Sequence, residues 1–380
     1  MLTVAGFTLF FLLASLVLAL IGALAPWLAA HLVFAAGVVP LILAAMIHFV
    51  PVLTRSGDPS PAIRRLPLVA QALGLLVLPA LAGILPRSLL ALVATVNCIL
   101  AGILLHWIWQ RAHRALGSPH PGWRWYAAAL ICLMLAMLAV IGQLLFPAGW
   151  TAWRLAHLHL NTLGLVGLAA FGTLPVLLPT ALGQPDPEAG RWLQRMLWPM
   201  LAGVALVVVG APLSIFFGPG RIVAASGAAA LMIVSILLAA QWLRRFGMSQ
   251  LTGDGVALPL FVALSRFVGS LLFGVAHAFG LMPGQPTLLL WLPAFLLPLI
   301  TGTLSQLLPV WRWPGPAIPA RRQMRATLAW LGQIRALLWL TAGTLFAADE
   351  ILTGSLLLLV GVASWALNLA KALRIPRSTQ

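Results

Sequence analysis

The chain has 380 residues, of which 62% are hydrophobic and 7% charged, with a formal net charge of +16 and a mean hydropathy of +1.05. Soluble domains carry roughly 25% charged residues, so a water-soluble fold is excluded: too little polar surface exists to cover so much apolar side chain. The positive charge would suggest nucleic acid in a soluble protein, but here it sits in short loops between apolar runs, where it marks the cytoplasmic side of a bilayer.

Apolar runs long enough to cross ~30 Å of hydrocarbon at ~1.5 Å per residue fall at about 4–24, 28–53, 66–85, 88–110, 125–146, 155–181, 197–217, 220–243, 258–282, 286–310, 324–346 and 351–372. This predicts an all-α polytopic membrane bundle of about twelve transmembrane helices in one domain over 1–380. The first run is read as a retained helix, because it lacks a basic segment before it and Pro26 would follow an Ala23-x-Ala25 cut. No loop is long enough to hold a soluble domain, so the bilayer is the one partner the sequence implies.

Basic residues follow the even-numbered runs: Arg55, Arg64 and Arg65; Arg111, Arg114 and Arg124; Arg191 and Arg195; Arg244 and Arg245; Arg312, Arg321, Arg322 and Arg325; Lys371, Arg374 and Arg377. After the odd-numbered runs come only Arg87, Arg154, Arg221 and the acidic pair Asp349 and Glu350. The positive-inside rule therefore places both termini in the cytoplasm of a bacterial-type inner membrane. Cys98 and Cys132 lie inside apolar runs with no CxxC or zinc spacing, and read as small core residues.

Runs two, six and ten share an internal pattern. Aligned on Pro51, Pro179 and Pro309, both His31 and His159 lie twenty residues upstream, with Leu289 at that place in run ten. Gly172-Thr173-Leu174 then matches Gly302-Thr303-Leu304, and Pro40 matches Pro298. The anchors are 128 and 130 residues apart, four spans each time. The pattern predicts a pseudo-threefold bundle of four-helix quasi-repeats at about 1–124, 125–254 and 255–380.

Histidine is costly inside a bilayer and is a functional candidate there by default. With alternating span directions, His31, His157, His159 and His277 gather toward the periplasmic side. His48, seventeen residues or ~25 Å along the helix from His31, falls at the opposite end with His106, where the two could form a second site or, beside Trp107 and Trp109, a membrane anchor. His157 and His159 are two residues apart and point roughly opposite ways on a helix. His113 and His120 lie in a basic loop and read as solvated. Arg266 and Arg335 enter their spans by two to three turns and can pair with a bound anion or with helix-end carbonyls. Met134 and Met137 near Cys132 read as core packing.

Twelve helices, three quasi-repeats and histidines on spans two and six resemble the core subunit of haem-copper oxidases. The segments from His31 to Pro51 and HLHLNTLGLVGLAAFGTLPVLLPT resemble more specifically its short, non-pumping relatives, among them the NnrS family of nitric-oxide-stress proteins. The resemblance implies that His31 matches the low-spin haem ligand on helix two and that the span-six histidines match the helix supplying a copper ligand. With His277 added from its periplasmic-side position, the candidate metal site is His31, His159, His157 and His277, for haem or also copper, and a haem propionate is one anion that Arg266 or Arg335 can meet.

Departures from the oxidase pattern are equally informative. Span ten has no histidine and Gln306 is its most polar interior residue; span seven has none either. The single tyrosine, Tyr126, starts span five, and Glu188 and Glu350 are in loops. A binuclear oxygen- or nitric-oxide-reducing centre is therefore not expected, and the leading reading is a haem-binding protein of nitric-oxide or metal stress. A secondary transporter, suggested by repeats and proline-interrupted helices, and a haem-only quinol or nitric-oxide oxidoreductase are the alternatives.

Overall fold

A computed structural model describes residues 1–282, 291–315 and 318–376; Leu289 and the start of the predicted tenth span lie outside them. The helices are α1 Leu2–Leu20, α2 Pro26–Thr54, α3 Pro61–Leu81, α4 Ser88–His113, α5 Gly122–Leu145, α6 Pro147–Ala181, α7 Ala189–Phe216, α8 Gly220–Gly253, α9 Ala257–Ala278, α10 Leu292–Arg312, α11 Pro319–Ala329, α12 Gly332–Ala347 and α13 Ile351–Leu373. Among the described residues eleven helices are long and apolar enough to cross a membrane, and no strand interrupts them. The chain is an integral membrane protein built as a polytopic helical bundle.

The predicted span 324–346 is the exception, because it is broken into α11 and α12. Leu331 takes a left-handed φ of 57°, and a Cβ on Gly332 would stand 1.9 Å from the carbonyl oxygen of Gly255. Such an approach of two backbones leaves no room for a side chain. The break exposes carbonyls at the end of α11 that need donors in an apolar setting. Arg335, only 2% exposed, supplies them: Nη2 donates to Leu328 O at 2.7 Å and Nη1 to Trp330 O. Asn368 Nδ2 donates to the same Trp330 carbonyl at 2.8 Å. The helix-end carbonyls are one of the two partners expected for Arg335.

Two compact units can be distinguished, one made of Thr3–Thr173 with Glu188–Ala230, the other of Leu174–Pro187 with the residues from Leu231 onward. In the first, α3 packs on α2, α4 on α3 and on α5, and α6 on α5 and α7. Its α2 is wound as a π-helix over Phe34–Val38. Pro40 explains part of this, since it has no N–H to offer the Ala36 carbonyl four residues earlier. Gln71 of α3 takes that carbonyl instead, with Nε2 donating at 2.9 Å. From the other side, Thr8 of α1 donates Oγ1 to Gly37 O at 3.0 Å. At Gly74 a Cβ would lie 2.2 Å from Ala35 O, so α3 and the π segment touch backbone to backbone. Further along the unit, buried Trp125 donates Nε1 to Leu193 O at 3.0 Å and stacks on Trp192.

Helix α6 carries a longer π segment, Leu160–Gly167, and α10 another, Leu292–Leu296. Measured from Pro51, Pro179 and Pro309, the three π segments begin 17, 19 and 17 residues upstream. In α10, as in α2, a proline (Pro298) follows four residues after a residue of the π segment, Ala294.

In the second unit α10 packs on α9 and α11, and α12 on α13. Asp254 caps α9, its Oδ1 accepting from the amides of Val256 and Ala257, both at 2.8 Å. Arg325 of α11 pairs with the same carboxylate at 3.1 Å and also donates to Ala181 O at 2.6 Å and Gln306 Oε1 at 2.9 Å. Asp254, Arg325 and Gln306 are thus matched within the unit, as a low-dielectric setting demands.

Candidate functional site

Helices α2 and α6 position the candidate site. His31 stands in the second turn of α2, directly before its π segment, and its Nδ1–H donates to the Trp27 carbonyl at 2.7 Å. That bond selects the Nδ1–H tautomer and leaves the Nε2 lone pair as the atom able to bind a metal. An N–H held by a carbonyl is also the usual outer contact of a metal-ligating histidine.

His157 and His159 precede the π segment of α6 in the same way. The His157 ring reaches across to α5, where Nδ1–H donates to Ala136 O at 3.0 Å. Asn161 lies one turn further on, with Nδ2 3.4 Å from each ring nitrogen and 2.9 Å from the His157 carbonyl. The His159 ring bonds back along its own helix, Nδ1 to Leu155 O at 2.8 Å, repeating the pattern of His31. His31 and His157 are close enough for their charges to interact. The repeat register singles out His159 as the counterpart of His31.

The other candidates are placed as follows. His277, near the end of α9, is exposed and bonds to Met282 O at 3.1 Å. Half-buried His48 packs edge-on against Phe49, with ring centroids 5.2 Å apart, and lies within electrostatic range of the chain's N-terminal amine. His106 is exposed on α4, stacked on Trp109 and bonded to Gln110 Nε2 at 2.8 Å. Arg266 is half-buried on α9. Among the described residues, no three His, Cys, Asp or Glu side chains are grouped to hold a metal ion.

The donor set therefore amounts to the separate imidazoles of α2 and α6. Haem iron needs only one or two axial nitrogens, so their chemistry fits haem. Copper centres of the three-ligand kind need a further ligand, which the described residues do not supply. Two polar residues at the site escaped the sequence reading, Asn161 and Gln71. A signal for the first was present, since Asn161 follows His157 by one helical turn; nothing local marks Gln71, whose partner is 35 residues away.

Fold and site together define a polytopic helical membrane protein with histidines beside π-wound helix segments. No protein-family model matches the chain. Over 61 residues, 16% of its length, it is 39% identical to cytochrome c oxidase subunit 1 of Thermus thermophilus, covering 56% of that relative's own length. Part of the chain is thereby similar to a haem-copper oxidase subunit.

Proposed function

We propose that this chain is a haem-binding membrane protein of the haem-copper oxidase-like kind, with His31 and a span-six histidine as the axial ligands. The observation that carries the reading is the shared tautomer of His31 on α2 and the histidines of α6, each with Nδ1–H held by a main-chain carbonyl so that Nε2 keeps the lone pair a metal needs. His157 and His159 are the alternatives for the span-six ligand. The partial similarity to cytochrome c oxidase subunit 1 supports the same conclusion, as does the recurrence of a π segment in α2, α6 and α10, beginning 17, 19 and 17 residues before the anchoring prolines, which favours three quasi-repeats.

Respiratory pumping is not part of the proposal. All six acidic residues, Asp58, Asp186, Glu188, Asp254, Asp349 and Glu350, lie in connections between the helices, and a proton path through a membrane ordinarily uses intramembrane acids. A role in nitric-oxide or metal stress follows from the resemblance to the NnrS family. Purification in detergent tests the proposal. A Soret band with sharp α and β bands on reduction is expected, whereas a colourless preparation that takes up no added haemin would favour a transporter.

A further inference from the structure

A second polar feature lies in the other unit, at the broken helix. Trp330, at the break, and Lys371, near the end of α13, border a cleft of about 350 Å³ that is also lined by Ala326, Thr327 and Asn368. The Lys371 ammonium stands 5.5 Å from the centroid of the Trp330 ring, and Trp330 is 57% exposed. Just beneath, the Trp330 carbonyl is held by Asn368 and by the fully buried Arg335.

The charges do not balance at this end. Arg335 bonds only to carbonyls, and no ion pair involves Lys371 among the described residues. The acidic groups of the unit are committed elsewhere: Asp254 to Arg325, Asp186 to Arg245, and Asp349 and Glu350 at the far end of α13. A monoanionic group in the cleft would meet the ammonium beside the Trp330 ring.

What leads to Lys371 identifies the anion's carrier. Val360 and Leu367 are both more than half exposed, and with Lys371 they follow a helical period along one face of α13, within the one leaflet nearest that cation. An apolar stripe ending in a cation beside an interfacial tryptophan matches an acyl chain below a phosphate. We propose that the Trp330–Lys371 cleft binds the phosphodiester headgroup of an anionic phospholipid whose chain lies along this stripe. The site is independent of the haem reading, so either can fail without the other.

The test uses the full chain in detergent with spin-labelled phosphatidylglycerol and spin-labelled phosphatidylcholine. Wild-type protein should immobilise the phosphatidylglycerol label preferentially. Lys371→Gln should reduce that preference about fivefold, the worth of one basic residue at a membrane surface, and Lys371→Arg should retain it. Trp330→Leu should reduce it as well, while Arg64→Gln, in the other unit, should not. Equal immobilisation of the two labels by wild-type protein, or an unchanged preference in Lys371→Gln, would overturn the proposal. So would displacement of the label by inorganic phosphate alone, which would mark a free-anion site.

Discussion

Gln71 donates its side-chain amide to the carbonyl of Ala36, at 2.9 Å, across the contact between α3 and the π segment that follows His31. Pro40 cannot serve that carbonyl, so the bond is the means by which the π segment is tolerated in an apolar interior. Replacing Gln71 by Leu leaves the carbonyl without this donor. A cost of about 1–3 kcal/mol is expected for a buried acceptor deprived of its partner, read as a lower Tm in detergent. An unchanged Tm would show that the π segment does not depend on α3.

Gly74 makes the second contact with that segment, and its role is steric. A methyl group there would stand 2.2 Å from Ala35 O and 2.7 Å from Ala36 N, both backbone atoms that cannot rotate away. Gly74→Ala should destabilise the protein by about 1–3 kcal/mol through overpacking. Gly102→Ala is the matched control, since its new methyl would meet only Met134 Cε, at 3.9 Å. Thermal unfolding of both variants checks the contrast.

His120, in the connection between α4 and α5, supplies a pH dependence. Burial holds its pKa below the ordinary histidine value, and the Gly122 amide donates to its Nδ1 at 3.3 Å, a bond only the unprotonated nitrogen can accept. Because the folded pKa is the lower one, the unfolded chain binds the proton more readily. This contribution is present above the unfolded pKa of about 6.5 and is lost as pH falls through it. Comparing Tm at pH 7.5 and 5.5 (about one unit either side of that value), His120→Gln should show a smaller acid loss than wild type. Equal losses would remove His120 from the account.

Orientation is a matter for reporter fusions. The arginine asymmetry predicts that a reporter active only in the periplasm is active after Phe346 and silent after Gln380. The reverse pattern would move the His31 end to the cytoplasmic side.

Much of the architecture was legible in the sequence because a bilayer demands long apolar runs, and such runs announce themselves. The break at Leu331 was not, because it arises where Gly332 meets Gly255, 77 residues away in the chain, and that close backbone approach has no local signature. The π segments were partly legible. Pro40 and Pro298 marked the register, yet the α6 segment has no matching proline, since Leu168 stands there. At the site, the spacing of His31 and His159 from their prolines drew attention to α2 and α6, both of which carry a π segment after these histidines. Which imidazole approaches His31 depends on helix rotation and on the reach of His157 toward Ala136 of α5, and spacing does not encode that.

The central claim is that His31 is an axial ligand to haem, and the visible absorption spectrum of purified variants tests it most directly. His31→Ala should insert normally, as the helix keeps its apolar length, yet lose or shift the Soret and reduced α bands. Of His157→Ala and His159→Ala, the one that removes the second ligand should do the same. His113→Ala should leave the spectrum as it was. Wild-type haem content and spectrum in all of these variants would contradict the account.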